Sequence, residues 1–236
     1  MNGKSMHWVN RLAALGLVVG LVAGLAAAGS AQSVGGQAYS TYVNTPLGFS
    51  GQSPLAVLPA VSGTDGAMAD AEGSALNVAG ALSSDFLNSI TSGEIGTAET
   101  GAQSTASAAS VNILNGLITA DEVVANVMSS VTGSGAFSNA DGSTFTNLTV
   151  AGRSLSGDQA LAPNTNISLP GVGYVVLNEQ IPSGDGVTSS GLTVNMIHVY
   201  LQSLTGGGCT PLGCLPGVLT STGEIIVGSA ASNATM

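Results

Sequence analysis

The chain has 236 residues, of which three are Lys or Arg and thirteen are Asp or Glu, and its formal net charge at pH 7 is -10. Such an acidic chain repels nucleic acid and anionic lipid, because binding to phosphates requires Lys and Arg to displace counterions. Only 4% of the residues are aromatic whereas 44% are hydrophobic. The core must therefore be aliphatic, and the many β-branched residues favour strands.

The first residues follow the order of a secretory signal peptide. Lys4 and Arg11 precede an uncharged apolar stretch, Leu12–Ala28, and small residues follow up to Ala31. Basic, apolar and small-residue parts in this order are typical of a signal peptide, and the stretch is shorter than the roughly 20 residues of a membrane span. We expect a signal helix in residues 1–31, removed after Ala31 or at the end of the apolar stretch. An uncleaved membrane anchor is the alternative.

The rest of the chain, residues 32–236, is expected to fold as one extracellular β-rich domain, since its length suits a single domain with a sizeable core. All thirteen acids lie in this part with one cation, Arg153, and the simplest role of the acidity is solubility outside the cell. The expected location is secreted, with or without association with the cell surface. Contact with a membrane is expected only through residues 1–31, if these are retained.

Secondary structure is predicted for three segments in the N-terminal half of the domain. Residues 67–82 alternate between two sets of side chains, as in a half-buried strand. Residues 83–93 (SSDFLNSITSG) fit one or two helical turns capped by Ser84 or Asp85. Residues 97–114 are rich in Ala, Ser and Thr, and we predict a long strand of small residues because a clear apolar run continues it.

The segment 119–133 (TADEVVANVMSSVTG) is balanced between helix and strand. Thr119 and Glu122 have the spacing of a capping box, and the apolar residues fall at helical spacing. Four Val, with Ser, Thr and Asn, are mediocre helix formers. Periodicity alone leaves both structures open.

Extended segments dominate the C-terminal third. Residues 143–152 are predicted to form one β-branched strand, residues 162–171 an extended segment, and residues 223–230 a final short strand. Residues 172–180 are apolar on both faces until Asn178, which predicts a central strand covered on both sides. Regular alternation gives this strand two faces: Tyr174, Val176 and Asn178 on one, and Val175, Leu177 and Glu179 on the other.

A change of phase marks residues 192–201 (LTVNMIHVYL). Apolar residues occupy even positions up to Met196 and odd positions from Ile197 onwards. A regular strand cannot exchange its two faces, so we predict a β-bulge or a sharp bend at Met196–Ile197.

These elements together predict an all-β fold, a two-sheet antiparallel β-sandwich with long strands. The alternative is a right-handed β-helix, because ladders of Ala, Ser and Thr suit stacked coils.

The chain resembles the choice-of-anchor P domain of bacterial exported proteins. The resemblance rests on five stretches: LITADEV, FTNLTVAG, PNTNISLPGVGYVVLNEQ, LTVNMIHV and EIIVGSA. It is densest from about Ser110 to Ala231, and it implies a secreted or cell-surface β-rich domain in which residues 119–133 are a strand. Relatives carry various C-terminal anchors, whereas the last residues here, GSAASNATM, contain no sorting motif. The family has no established activity that would assign catalytic residues.

Catalytic chemistry is not expected. His198 is the one histidine after residue 31, so a Ser-His-Asp triad would depend on it. It lies in an apolar strand, two positions before Tyr200 and therefore on the same face. A hydrogen-bonded structural role is the simpler interpretation there. A carboxylate-based hydrolase needs only two acids and stays as the least favoured alternative, because the aromatic platforms that usually accompany such sites are scarce.

Calcium is the one cofactor that the sequence suggests, and a protein without cofactors is the simpler expectation. Asn139 and Asp141 in NADGS, and Asp185 in SGDGVT, offer the oxygen ligands that calcium prefers. Asp-Gly is also a common turn signal, and neither segment completes a calcium-loop signature.

The polar triplet Asn178–Glu179–Gln180 ends the apolar strand before Pro182. The favoured interpretation is a strand end whose side chains bond to nearby loop backbone, and a ligand site is the alternative. In a site, Glu179 would supply the charge and Asn178 would face inward.

Cys209 and Cys214 are the two cysteines of the chain. An exported protein meets oxidising conditions, and Pro211 and Gly213 between them favour a compact turn. We predict a disulfide that closes a local loop.

The function expected from these observations is a non-catalytic structural or adhesive module, secreted or at the cell surface of a bacterium, with cell-envelope or matrix components as partners. A calcium- or glycan-binding extracellular module is the alternative.

Overall fold

The structure, a computed structural model, describes residues 32–61, 64–155, 161–206, 208–210, 213–215 and 217–236. The predicted signal peptide lies outside the described residues. All regular structure in the described ranges is β-strand. Within those ranges, no helix has the length and apolarity needed to cross a membrane.

The strands of the described residues are, in chain order, β1 (Ser33–Thr45), β2 (Gly48–Val57), β3 (Ala67–Val78), β4 (Leu82–Ile95), β5 (Glu99–Ile113), β6 (Ile118–Thr132), β7 (Gly135–Asn139), β8 (Thr144–Thr146), β9 (Thr149–Val150), β10 (Arg153–Ser154), β11 (Thr165–Leu169), β12 (Gly173–Gly184), β13 (Ser189–Thr205), β14 (Gly208–Thr210), β15 (Gly213–Leu215) and β16 (Val218–Thr235).

Two antiparallel sheets contain nearly all of these strands. Sheet A has the order β11-β12-β13-β16-β1-β2, and sheet B has the order β10-β9-β6-β5-β4-β3, with β7 and β8 also paired to β6. A separate short hairpin joins β14 and β15. Every pairing in the described ranges is antiparallel. The described strands therefore do not form the predicted alternative, a β-helix, whose coils pair in parallel.

The two sheets pack their apolar faces into one shared core. One half of this core is filled by large aliphatic side chains, including Ile113, Ile118 and Ile225, all fully buried. In the other half small residues let the sheets approach closely and bond to each other. There the Ser104 hydroxyl donates to the Ala231 carbonyl at 2.7 Å.

The strand of small residues predicted at 97–114 is confirmed as β5. Its Ala106 and Ala108 side chains are fully buried, and Ser104 makes the bond to sheet A. The segment is ordered although each side chain buries little surface, because the facing strand β16 contributes equally small residues such as Ala230.

In each sheet, the side chains that face the core change from one parity of residue number to the other along one line across the strands. We call this line the crease. In sheet A the crease runs through Asn178, Met196 and Gly228. Met196 and Ile197 are adjacent in β13 and both are buried in the core, so the predicted change of phase is confirmed. The crease coincides with left-handed backbone in the neighbouring strands, at Asn178 (φ 49°) and Gly228 (φ 68°).

Of the two alternatives predicted at Met196–Ile197, a β-bulge or a sharp bend, the β-bulge is wrong, because no residue is inserted there. The pairing of β13 with β16 keeps its register across the crease, from Asn195 opposite Ser229 to Ile197 opposite Val227. The two strands beside β13, β12 and β16, change face at the same level, so their register with β13 is preserved there. The irregularity in this pair lies further on, between Leu201 and Gln202.

The crease also explains the helical appearance of two segments. Residues 119–132 lie in β6, where the buried positions other than Ser130 advance in steps of two except from Ala120 to Val123. This single step of three imitates helical spacing, so the strand implied by the family resemblance is the correct choice. The helical turns predicted for residues 83–93 are wrong, since these residues lie in β4 and show the same step from Ser84 to Leu87.

Three smaller expectations need correction. The strand predicted at 143–152 is divided into β8 and β9 at Asn147, which has left-handed backbone (φ 50°). The final strand is much longer than residues 223–230, because β16 has 18 residues and lies between β13 and β1. Strand β12 has a neighbouring strand on each edge, as predicted for a central strand. The predicted covering of both its faces is wrong, because Tyr174 on its outer face remains partly exposed.

Candidate functional site

The candidate site lies on the outer face of sheet A, the side turned away from the shared core. There β13 lies between β12 and β16, with Glu179 opposite Asn195 and Tyr200 opposite Glu224. In a regular strand, residues 195 and 198 would point to opposite faces. The crease between them turns both side chains outward, so the crease creates the site.

Five side chains form what we call the His198 cluster: Glu179, Asn195, His198, Tyr200 and Glu224. His198 Nδ1 lies 2.7 Å from Glu179 Oε2, and His198 Nε2 lies 3.2 Å from Glu224 Oε2. Because ionised carboxylates only accept hydrogen bonds, both bonds form at once when the imidazole carries two N–H groups. His198 of β13 thus links the carboxylates of β12 and β16.

Glu179 receives the largest share of these bonds. Asn195 Nδ2 donates to Glu179 Oε2 at 2.7 Å, and the Tyr200 hydroxyl donates to Glu179 Oε1 at 2.9 Å. The other end of the Asn195 amide accepts a bond of 2.7 Å from the Ser229 hydroxyl. Glu179 and Asn195 thus find their hydrogen-bond partners among side chains of sheet A.

The pKa values of the cluster follow from these contacts. Burial acts to raise the pKa of the Glu179 carboxyl, but the hydrogen bonds from His198 and Asn195 and the charge of His198 oppose it, as does the bond from Tyr200. Together they lower the pKa of Glu179 from 4.5 to about 2. Burial and the bond to the Glu179 carboxylate raise the pKa of the Tyr200 hydroxyl. Both shifts favour a fixed charge on Glu179 and a fixed proton on Tyr200.

Aromatic rings stack within the cluster and beside it. The Tyr200 ring stacks on His198 with centroids 3.9 Å apart and on Tyr174 with centroids 4.7 Å apart. The second distance equals the spacing of neighbouring strands, so the two tyrosine rings, which lie opposite each other in β12 and β13, stack across the strands. The other two tyrosines of the chain, Tyr39 and Tyr42, lie on the same outer face, since their neighbours Ala38 and Val43 fill the core.

The predicted triplet divides between two places. The left-handed backbone at Asn178 exchanges the faces, so Asn178 joins Leu177 on the core side and Glu179 joins Tyr174 outside; the regular alternation predicted for them is wrong here. Asn178 Nδ2 donates to the Leu161 carbonyl at 2.9 Å.

Gln180 continues this role two residues further along β12, which extends to Gly184. Its backbone N–H donates to Asn164 Oδ1 at 2.9 Å, and its side-chain amide donates to Asn178 Oδ1 at 3.1 Å. Asn178 and Gln180 therefore fasten the preceding loop to the strand, whereas Glu179 belongs to the His198 cluster. The predicted position of the triplet at a strand end is wrong, because β12 pairs with β13 as far as Gly184.

The candidate calcium ligands lie in two turns that use their own oxygens. Asn139 Oδ1 accepts a bond of 3.1 Å from the Asp141 N–H. The Asp185 carboxylate accepts bonds from the Thr188 hydroxyl and from three backbone N–H groups after it, which lower its pKa. In the part of the chain that the structure describes, no three His, Cys, Asp or Glu side chains are grouped to hold a metal ion. Asn139 Oδ1 and the Asp185 carboxylate therefore already accept hydrogen bonds within their own turns.

Cys209 and Cys214 lie directly opposite each other in the β14-β15 hairpin. Opposite residues of an antiparallel pair have Cα atoms about 4.5–5.5 Å apart, within the range of a disulfide. Their side chains lie outside the described part, so the disulfide stays a prediction.

Sequence reasoning did not assign Asn195, Tyr200 or Glu224 to a site. The signal that could have done so is the change of phase at Met196–Ile197, since it implies that Asn195 and His198 share a face. Comparisons with protein-family models, with curated proteins and with solved structures found no match.

Proposed function

We propose that the protein is a non-catalytic structural or adhesive module, secreted or displayed at the cell surface of a bacterium. The signal-peptide pattern of residues 1–31 supports the export, and the choice-of-anchor P resemblance supports the surface role. The two packed antiparallel sheets support a β-sandwich as the architecture of the module.

The His198 cluster is the observation that carries the non-catalytic part of the proposal. A general acid of a glycosidase needs a raised pKa, whereas the pKa of Glu179 is lowered to about 2. A general base needs a nitrogen that can accept a proton, whereas both nitrogens of His198 are bonded to carboxylates. The cluster ties β12, β13 and β16 together, which suits a load-bearing sheet.

The location is tested by expression in the native host followed by separation of cells, wall and medium. We expect the protein in the wall fraction or the medium, and accumulation inside the cell would contradict the proposal.

The absence of catalysis is tested by incubating the purified protein and its E179Q variant with cell-wall polysaccharides. We expect no turnover from either protein. Hydrolysis by the wild type that E179Q abolishes, while the variant stays folded, would identify a carboxylate-based hydrolase instead.

A further inference from the structure

The two outer faces of the molecule differ in charge. Strands β3 to β6 of sheet B carry seven exposed acids: Asp70, Glu72, Asp85, Glu94, Glu99, Asp121 and Glu122. The strands of sheet A carry two acids, Glu179 and Glu224, and both are bonded to His198. The outer face of sheet A therefore carries fewer acidic side chains than the outer face of sheet B.

The outer face of sheet A is also rich in aromatic and apolar side chains. Besides the four tyrosines, Phe49 is 72% exposed and Ile181 is 51% exposed. Leu55 and Val57 lie on the same face and are also exposed, because they pair with the outward residues of β1. Aromatic residues are enriched, and charged residues depleted, at the centre of protein interfaces.

The central polar groups of this face, Glu179 and Asn195, are bonded to their neighbours, which indicates what kind of partner the face fits. A glycan is held by unsatisfied donors and acceptors and by the open faces of rings. Here Glu179 and Asn195 are occupied by hydrogen bonds, and the Tyr200 ring is stacked on both His198 and Tyr174. A protein surface can cover this part of the face without leaving Glu179 or Asn195 unpaired.

We propose that the outer face of sheet A pairs with the same face of a second copy of this chain. In that arrangement the four sheets stack in the order B-A-A-B. With sheets about 10 Å apart, the two acidic sheets are separated by roughly 30 Å. This exceeds the Debye length of about 8 Å at physiological ionic strength, so two strongly acidic chains can associate through this face and no other sheet face.

The area of the outer face of sheet A indicates how tightly two copies can bind. Six strands about 4.8 Å apart and about seven residues of rise give roughly 24 Å by 23 Å, or about 550 Å² per copy. The two copies together bury about 1,100 Å², which is near the lower limit of about 1,000 Å² for a specific interface. We therefore expect a reversible dimer with a dissociation constant in the micromolar range or weaker.

Sedimentation equilibrium of the exported protein over a range of concentrations tests the pairing. Phe49→Asp and Ile181→Asp place a charge at two separate exposed points of the face, and each is expected to weaken the dimer at least tenfold. Met68→Asp and Ile90→Asp on sheet B add the same charge to other exposed apolar positions, and they should leave the dimer unchanged. Unfolding curves confirm that each variant is folded.

Two results would overturn the inference. One is a monomer at all concentrations up to about 1 mM, including a monomer that binds neutral polysaccharide in a Phe49-dependent way, which would make a glycan the partner. The other is equal weakening by the sheet A and sheet B variants, which would show a general charge effect. Neither result depends on where the protein is located, so a failure here is distinct from a failure of the proposed function.

Discussion

The stability of the protein should depend on the charge of Glu179, which the substitution E179Q removes. The fall of its pKa from 4.5 to about 2 corresponds to about 3 kcal/mol at about 1.4 kcal/mol per pH unit. Solvent reaches this outer face, and screening reduces the contribution to about 1–2 kcal/mol. We expect E179Q to lower the free energy of unfolding by about that amount at neutral pH.

The dependence on pH identifies the cause. A carboxyl whose pKa is lowered by folding stabilises the folded state above its unfolded pKa, and this stabilisation is lost as the pH falls through the folded value. The wild type should therefore lose its advantage over E179Q between about pH 5 and about pH 2. Urea unfolding of both proteins at several pH values in this range measures the difference.

The matched control is E122Q, which makes the same chemical change at an exposed position of β6. Its effect should stay below about 0.5 kcal/mol, as at other surface positions. If the deficit of E179Q were the same at about pH 6 as at about pH 2, the reasoning from the Glu179 charge would be refuted, and lost packing would be the better explanation.

The same variant should change the titration of Tyr200. The bond to Glu179 and the charge of Glu179 both contribute to the raised pKa of the tyrosine hydroxyl, so E179Q should lower that pKa. Ultraviolet difference titration of the tyrosines records this change, and an unchanged titration curve would contradict the hydrogen bond.

Three further predictions concern other parts of the chain. The intact mass of the exported protein should lack residues 1–31, and a retained N-terminus in a membrane fraction would contradict this. Non-reduced peptide mapping should show Cys209 linked to Cys214, with the fold unaffected by reduction; two freely alkylated thiols would disprove the link. Alanine at Met196 or at Ile197 should each cost about 2–5 kcal/mol in denaturant unfolding, because both side chains are buried; a cost below about 0.5 kcal/mol for either one would show that it does not face the core.

The sequence by itself determined the strand character of most of the chain and the position of one structural irregularity. Alternation in residues 192–201 located the exchange of faces between Met196 and Ile197, because burial of successive apolar residues is a local property of one strand. The same kind of pattern misled at residues 83–93, where the step from Ser84 to Leu87 across the crease imitates a helix.

Only the tertiary structure decided which side chains meet on the outer face of sheet A. Glu179, His198 and Glu224 belong to three strands, and their contact depends on β13 lying between β12 and β16 in one register. Strand β16 in turn pairs with β1 from the opposite end of the domain. A local pattern carries no information about such long-range pairing, since it specifies which face a residue points to and not which residues lie beside it.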